Sequence, residues 1–564
     1  MTVADLVLRG GAVVTFADWA PGVPPAVSDA IAIGGGTVLA VGPTVAEHIG
    51  PRTRVVELAG RTVIPGINDT HLHLVCYAMA RHGLRDVSSA SVPSWEGLAE
   101  VLTADAIGDD GWIRAQGWDA EALGRPGTTA DVDRALAAHG IEDVPTVLLD
   151  RTGHQLLVGS AALDVLGIDR DTPDPEGGVV VRDESGEPTG VFADAATALV
   201  LRALPAVDAD TLARVLIEAQ RDLAALGITS VTDPGIGPGH ATLFDGSASP
   251  AALTALASLA RSDQLTVRTG VLLTFSGTGG ETAQSVRAGL AGPLPHAFDD
   301  LDPHMLRVAG VKVFADGIQR SGTAWHREPY GDPPARGRLS VGGEDDAERT
   351  STLRDVLAAI GASGLQAGVH ATGDAASDAV VDALLDLSDT DRAATPYLIH
   401  GDFLPASGMR QLADANIGWT ANPVISRMVS GIGHVLLGPE RQSVRQPLGS
   451  ALRSGVTVTL SSDAPVVDPD WREAVITAVQ RSQVDGMPRS GDPEAVSVLD
   501  AVAMMTVTAA VLDGARASKG TLAPGRWADL VVLSGSLPNE DHVDALRDLC
   551  VDLTVVGGRV VYER

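Results

Sequence analysis

Two histidines one residue apart end the stretch VIPGINDTHLHL, which runs from Val63 to Leu74. In extended backbone, residues i and i+2 project to the same side. His71 and His73 therefore point together while Leu72 turns into packing, and two imidazoles side by side suit a shared metal ion. With 14 histidines in 564 residues, an H-x-H pair also arises by chance, so it carries weight only with partners. Those follow at intervals: Lys312 in GVKVFADG, His370 in GVHATGD, His400 in LIHGDF and Asp463 in SSDAPV, each within or just after a short apolar run. Singly, such residues serve as hydrogen-bonded core histidines or turn-starting aspartates. Repeated at the ends of apolar runs, they form a nitrogen and oxygen ligand set suited to zinc, as one or two ions, with other divalent metals as competitors.

The lysine is the informative member. Only Lys312 and Lys519 are lysines among the 41 basic residues. Arginine cannot lose its proton at ordinary pH, whereas a lysine crowded by cations can. A neutral amine adds to CO2 to give a carbamate, whose two oxygens can bridge two metals. The competing role for Lys312 is an ammonium paired with Asp316 or with a substrate carboxylate.

These residues need a scaffold that carries strand ends to one place. The middle of the chain alternates short apolar runs with helical stretches, the pattern of βα units around a parallel sheet. Eight candidate strands cover 67–74, 228–233, 266–274, 308–315, 366–371, 396–400, 417–422 and 456–462. Eight such units predict an α/β fold, a (β/α)8 TIM-like barrel, with chemistry at the C-terminal ends of its strands. Residues of about 83–205 break the rhythm and are too long for an ordinary connection. They read as a subdomain inserted after strand 1, where it would overhang the barrel mouth. The ends resemble each other: DLVLRGGAVV (5–14) and DLTVVGGRVV (552–561) both read as strand, Gly-Gly turn and strand. The expected division is a small β-sandwich built from 1–64 and 506–564, with the barrel over 65–505 between them.

Bulk composition narrows the partners. A formal net charge of −31 disfavours nucleic acid and anionic membranes. Neither a signal peptide nor an apolar run of membrane-spanning length is visible, and two cysteines, Cys76 and Cys550, fit a reducing cytoplasm. The expected partner is a small molecule, and a homo-oligomer stays open.

The strand-end set, with GWD (117–119), GEPTG (186–190), HATGDAA (370–376) and GRWADLVVL (525–533), resembles the metal-dependent amidohydrolase superfamily. More narrowly, it is similar to the amidohydrolase family 3 branch, which includes N-substituted formamide deformylases. The resemblance implies that His71 and His73 hold one metal with Asp463. His370 and His400 then hold a second metal or bind substrate, and carbamylated Lys312 bridges. It implies hydrolysis of a non-peptide carbon–nitrogen bond by hydroxide generated on the metal, with Asp463 moving the proton and His400 assisting. Trp118, His154 and Tyr330 are candidates for the substrate wall, and Asp316 for orienting the loop after strand 4. The substrate would be an N-substituted formamide or N-acyl amine. The alternatives are a hydrolytic deaminase or cyclic-amide hydrolase on the same metal site and, from another class, a scaffold that has lost catalysis.

Overall fold

A computed structural model of the chain describes residues 2–564 except 152–154, 176–177, 195, 202, 238–250, 277–278, 483–488 and 490. It divides into two compact units, Met1–Leu74 with Ala219–His240 and Leu256–Arg564, and Val75–Glu218 with Ala241–Ala255.

In the first unit, eight parallel strands follow one another around a nearly closed sheet, consistent with a TIM barrel. They are β1 (Ile67–Asp69), β2 (Ile228–Ile236), β3 (Arg268–Leu273), β4 (Leu306–Phe314), β5 (Gln366–Ala371), β6 (Tyr397–His400), β7 (Gly418–Ala421) and β8 (Val458–Leu460). Each coincides with one of the eight runs expected from the sequence. Their residues are mostly buried on both faces, which is why they read as continuous apolar runs rather than as alternating ones. Beyond β1 and β8, Asp463 N donates to His71 O at 2.8 Å and His73 N to Ala464 O at 3.0 Å. Inside, the Thr70 hydroxyl bonds those of Thr420 on β7 (2.9 Å) and Thr459 on β8 (2.8 Å). These bonds draw the first and last strands together. Gly310 fixes the approach of β4 to β5, because a Cβ there would sit 2.1 Å from Gln366 O. Lys312 lies two residues further along β4.

Strands from both ends of the chain share one eight-stranded sheet. They meet where Thr62–Pro65 pairs antiparallel with Leu530–Leu533. The C-terminal hairpin is present, with Val551–Val556 and Arg559–Glu563 joined through Gly557 and Gly558, both at positive φ. Its N-terminal counterpart is not. Leu6–Val14 is a single strand with an irregularity between Arg9 and Val13. Gly10 takes φ 75°, and at Gly11 a Cβ would lie 2.4 Å from Arg61 O. The glycine pair that suggests a turn instead makes a bulge against a neighbouring strand.

The second unit has its own six-stranded sheet, formed by residues between Arg85 and Asp194. In sequence it falls between β1 and β2. Trp118 belongs to its core, 1% exposed. The Trp118 ring stacks at a tilt 5.8 Å from Trp95, and its indole N–H donates to Leu148 O at 3.1 Å. The side chain packs within this unit's core. No helix among the described residues is long and apolar enough to cross a membrane.

Candidate metal centre

β1 ends at Asp69, so His71 and His73 lie just past the strand and not on it. The backbone nevertheless stays tethered on both sides, Leu72 N donating to Thr232 O at 3.0 Å and His73 N to Ala464 O. The expected geometry follows: Leu72 is fully buried, and the two imidazoles converge on one atom. Oδ1 of Asp463 lies 3.0 Å from His71 Nε2 and 3.3 Å from His73 Nε2. His400, the last residue of β6, brings its ring to 5.5 Å from His71 and 4.6 Å from His370. Ligand atoms of His71, His400 and Asp463 all lie within 4.8 Å of one another. His400 and Asp463 hold φ of 68° and 62°, a left-handed backbone that non-glycine residues rarely adopt and that gathers at functional sites.

Hydrogen bonds decide which ring nitrogens face inward. His400 Nδ1 lies 2.8 Å from Asn422 Oδ1. The Asn422 amide nitrogen donates to Ser461 O and Oγ at 3.3 and 3.0 Å, so its oxygen must accept from His400, leaving His400 Nε2 with a free lone pair. His370 Nε2 lies 3.2 Å from Gly317 O. A carbonyl only accepts, so Nε2 carries the proton and Nδ1 is the lone pair on offer. Burial holds His71, His370 and His400 below the ordinary imidazole range, with Lys312 adding to the effect, so these rings are neutral at pH 7. Burial pushes the Asp463 carboxyl up, but the attraction of His71, hydrogen bonds from His71 and His73 and the attraction of His400 outweigh it and keep the group well below the carboxylate range. Neutral imidazoles around an ionised carboxylate are the donor set of a divalent cation. His71 Nδ1, buried without a hydrogen-bond partner, shows that hydrogen bonding within the protein does not satisfy the cluster.

The two lysines are both buried, and they differ in company. Lys519 Nζ pairs with Asp513 at 2.5 Å and donates to Ser230 Oγ at 2.9 Å. Lys312 is 1% exposed, and its nitrogen lies 4.8 Å from the Phe314 ring centroid. Among the described residues no carboxylate comes within ion-pair distance of it. Asp316, the expected partner, instead accepts from the backbone amides of Trp325, Thr372 and Gly373 at 2.8, 2.9 and 2.9 Å. It pins the loop after β4 to the end of β5. Burial brings the Lys312 ammonium down to about 7.

That shift has a sign that can be tested. Between pH 7 and the unperturbed value of 10.5, the unfolded chain holds a proton on Lys312 that the folded chain has lost, so stability rises with pH. In urea unfolding, the metal-free protein should gain about 2 kcal/mol between pH 7 and pH 9 relative to Lys312→Met. Asp69 and Asp316, both raised to about 7 by burial, titrate in both proteins and cancel. Equal pH slopes would mean that Lys312 is solvated or paired.

Tyr330 is buried among Ala324, Phe403 and Leu437, beside the segment that follows His400, and its hydroxyl donates to Ala324 O at 2.9 Å. His154 lies outside the described residues. Two supporting residues escaped the sequence reading. Asn422 stands at the end of β7, a position that the strand-end logic covers but that metal-ligand chemistry does not single out. Asp69, on the same face as His71 and His73, ties the end of β1 to Ser462 N at 3.2 Å. Asn422→Ala frees His400 Nδ1 and should weaken metal binding about 10- to 100-fold, as read by competition with a fluorescent chelator. Unchanged affinity would remove Asn422 from the site.

Residues 54–562 match the amidohydrolase family. The chain belongs to that family. As a member it is an enzyme, a hydrolase of carbon–nitrogen bonds. It is 29% identical to the protein LONG AFTER FAR-RED 3 of Arabidopsis thaliana, over 99% of this chain and 92% of that one. To the N-substituted formamide deformylase of Arthrobacter pascens it is 27% identical, over 95% of each. In structure it resembles an uncharacterized metal-dependent hydrolase from Pyrococcus furiosus, with a TM-score of 0.73 at 23% identity, over 94% of this chain and 99% of that one.

Proposed function

We propose that this amidohydrolase cleaves the amide bond of a small molecule, an N-substituted formamide or an N-acyl amine, with zinc as its metal. The observation that carries the reading is the convergence of His71 and His73 on one ionised oxygen of Asp463, with a buried lysine, Lys312, that has no carboxylate within ion-pair distance among the described residues. His71, His73 and Asp463 would hold one cation, and His370 and His400 a second. When bound, the metal polarises a carbonyl and lowers the pKa of water to about 7.

The protein's own groups do the rest. Asp463, kept ionised, accepts a proton from the attacking water and returns it to the leaving nitrogen, without which an amide does not let go. Asn422 keeps His400 Nε2 aimed inward, as a metal ligand or toward the substrate carbonyl. The neutral amine of Lys312 adds to CO2 and releases a proton, giving a carbamate whose oxygens would bind up to two cations. With a net charge of −31, the partner is a small molecule rather than nucleic acid or an anionic membrane, and the cytoplasm is the proposed compartment.

The test is turnover by the zinc-loaded protein on N-substituted formamides, N-acyl amines, cyclic amides and aminated heterocycles, read as released acid, amine or ammonia. Linear amides should be preferred. Turnover confined to heterocycles with release of ammonia would replace this reading with a deaminase.

A further inference from the structure

One side chain at the polar strand ends can neither hold a metal nor move a proton. Phe314, the last residue of β4, lies two positions past Lys312, so the two project to the same side of the strand. In the sheet Phe314 is the register partner of His370 on β5, and their rings lie 5.3 Å apart at a tilt of 40°. The Lys312 nitrogen sits 4.8 Å from the Phe314 ring centroid. A phenyl ring thus stands within the metal centre, in contact with its lysine and with one of its imidazoles.

Exposure sets this ring apart. His71, Lys312, His370, His400, Asn422 and Asp463 are all buried, none more than 8% exposed, whereas His73 and Phe314 are half-buried. His73 has a task, since it shares the Asp463 oxygen with His71. Packing accounts for the covered part of the Phe314 ring but not for the rest of it. Phe275, just past β3, shows the alternative: its ring packs so closely on the helix Ala283–Leu290 that a Cβ at Gly289 would lie 2.2 Å from it. Apolar surface left in water among ligand groups costs free energy, which an apolar group laid against it recovers.

We propose that Phe314 determines substrate specificity: its ring receives the bulky apolar substituent of the amide, above all an aromatic one. The division of labour follows from the chemistry of the neighbours. The carbonyl and the nitrogen of a substrate need Asp463, the imidazoles and the metal, while a phenyl ring offers contact area and the quadrupole of its π-system. An aromatic substituent packs offset or edge-to-face on such a ring, with centroids about 4.5–7 Å apart. A methyl substituent leaves most of the ring wet. Binding energy from this non-reacting end serves to hold the carbonyl in place for attack. The inference rests on the amide reading for the reacting end of the substrate and adds the other end.

The test compares the zinc-loaded native enzyme with Phe314→Ala, and with Phe314→Leu should the first fold poorly. The readout is the ratio of kcat/KM for formanilide to that for N-methylformamide. This preference for the aryl substrate should fall by about 10-fold in Phe314→Ala, the scale of a lost aromatic contact in an apolar pocket, and by less in Phe314→Leu. A binding arm needs no turnover: benzohydroxamate and acetohydroxamate chelate zinc through the same two oxygens, and the ratio of their Kd values, by calorimetry, should fall in parallel. Should the native enzyme turn over neither formamide, the amide reading fails, and the hydroxamate ratio alone decides the role of Phe314. A preference that the substitutions leave unchanged, including an equal loss on aryl and methyl compounds, overturns the proposal and confines the ring to packing beside Lys312.

Discussion

Asp463→Asn should cut kcat by about 10³-fold or more, within the range that a positioned proton-transfer group supplies. The substitution keeps the shape of the side chain and removes only its charge. Two consequences follow from the geometry. His71 and His73 lose the single anionic oxygen that they share, which weakens the metal set. In the proposed mechanism the leaving nitrogen also loses its proton donor. The effects separate under excess zinc, which should restore occupancy without restoring turnover. The readouts are kcat and metal stoichiometry by elemental analysis. Activity within tenfold of the native enzyme, at full occupancy, would assign proton transfer to another group.

Lys312→Met should lower activity by about 10²-fold or more, the scale of a lost electrostatic or metal-organising group, while making the metal-free protein more stable at pH 7. The two effects have one cause. A buried amine without a carboxylate partner costs free energy whenever it is charged, and methionine fills similar volume without that cost. Conflicts of this kind between stability and residue type gather at functional sites, in line with the chemical task proposed for Lys312. Lys312→Ala gives the complementary reading: a short carboxylic acid in the buffer should restore part of its activity by occupying the place of a carbamate. Full two-metal stoichiometry in Lys312→Ala without any added acid would rule out the bridge.

Much of this arrangement was legible from residue types alone. The eight barrel strands announced themselves as apolar runs because both of their faces are buried, and Lys312, His370 and His400 were placed by the ends of those runs. His71 and His73 were read as a strand-end pair, but the strand stops at Asp69 and their backbone is held by Thr232 and Ala464 rather than by regular strand pairing. What the sequence hid was long-range. Asn422 matters only because β7 sets it beside His400, and no local pattern says so. The doubled glycine at Gly10–Gly11 looks like that at Gly557–Gly558, yet one makes a bulge and the other a turn, since a neighbouring strand presents Arg61 to the first. The packing of Trp118 was also hidden, since only the fold brings Trp95 to its ring and Leu148 to its N–H.

The most direct test of the central claim is anomalous diffraction at the zinc edge from crystals of protein purified with zinc. The account predicts a peak bounded by His71, His73 and Asp463, with a second, where present, toward His370 and His400. A fully folded, catalytically active enzyme without anomalous density there, or with its metal bound elsewhere, would contradict it.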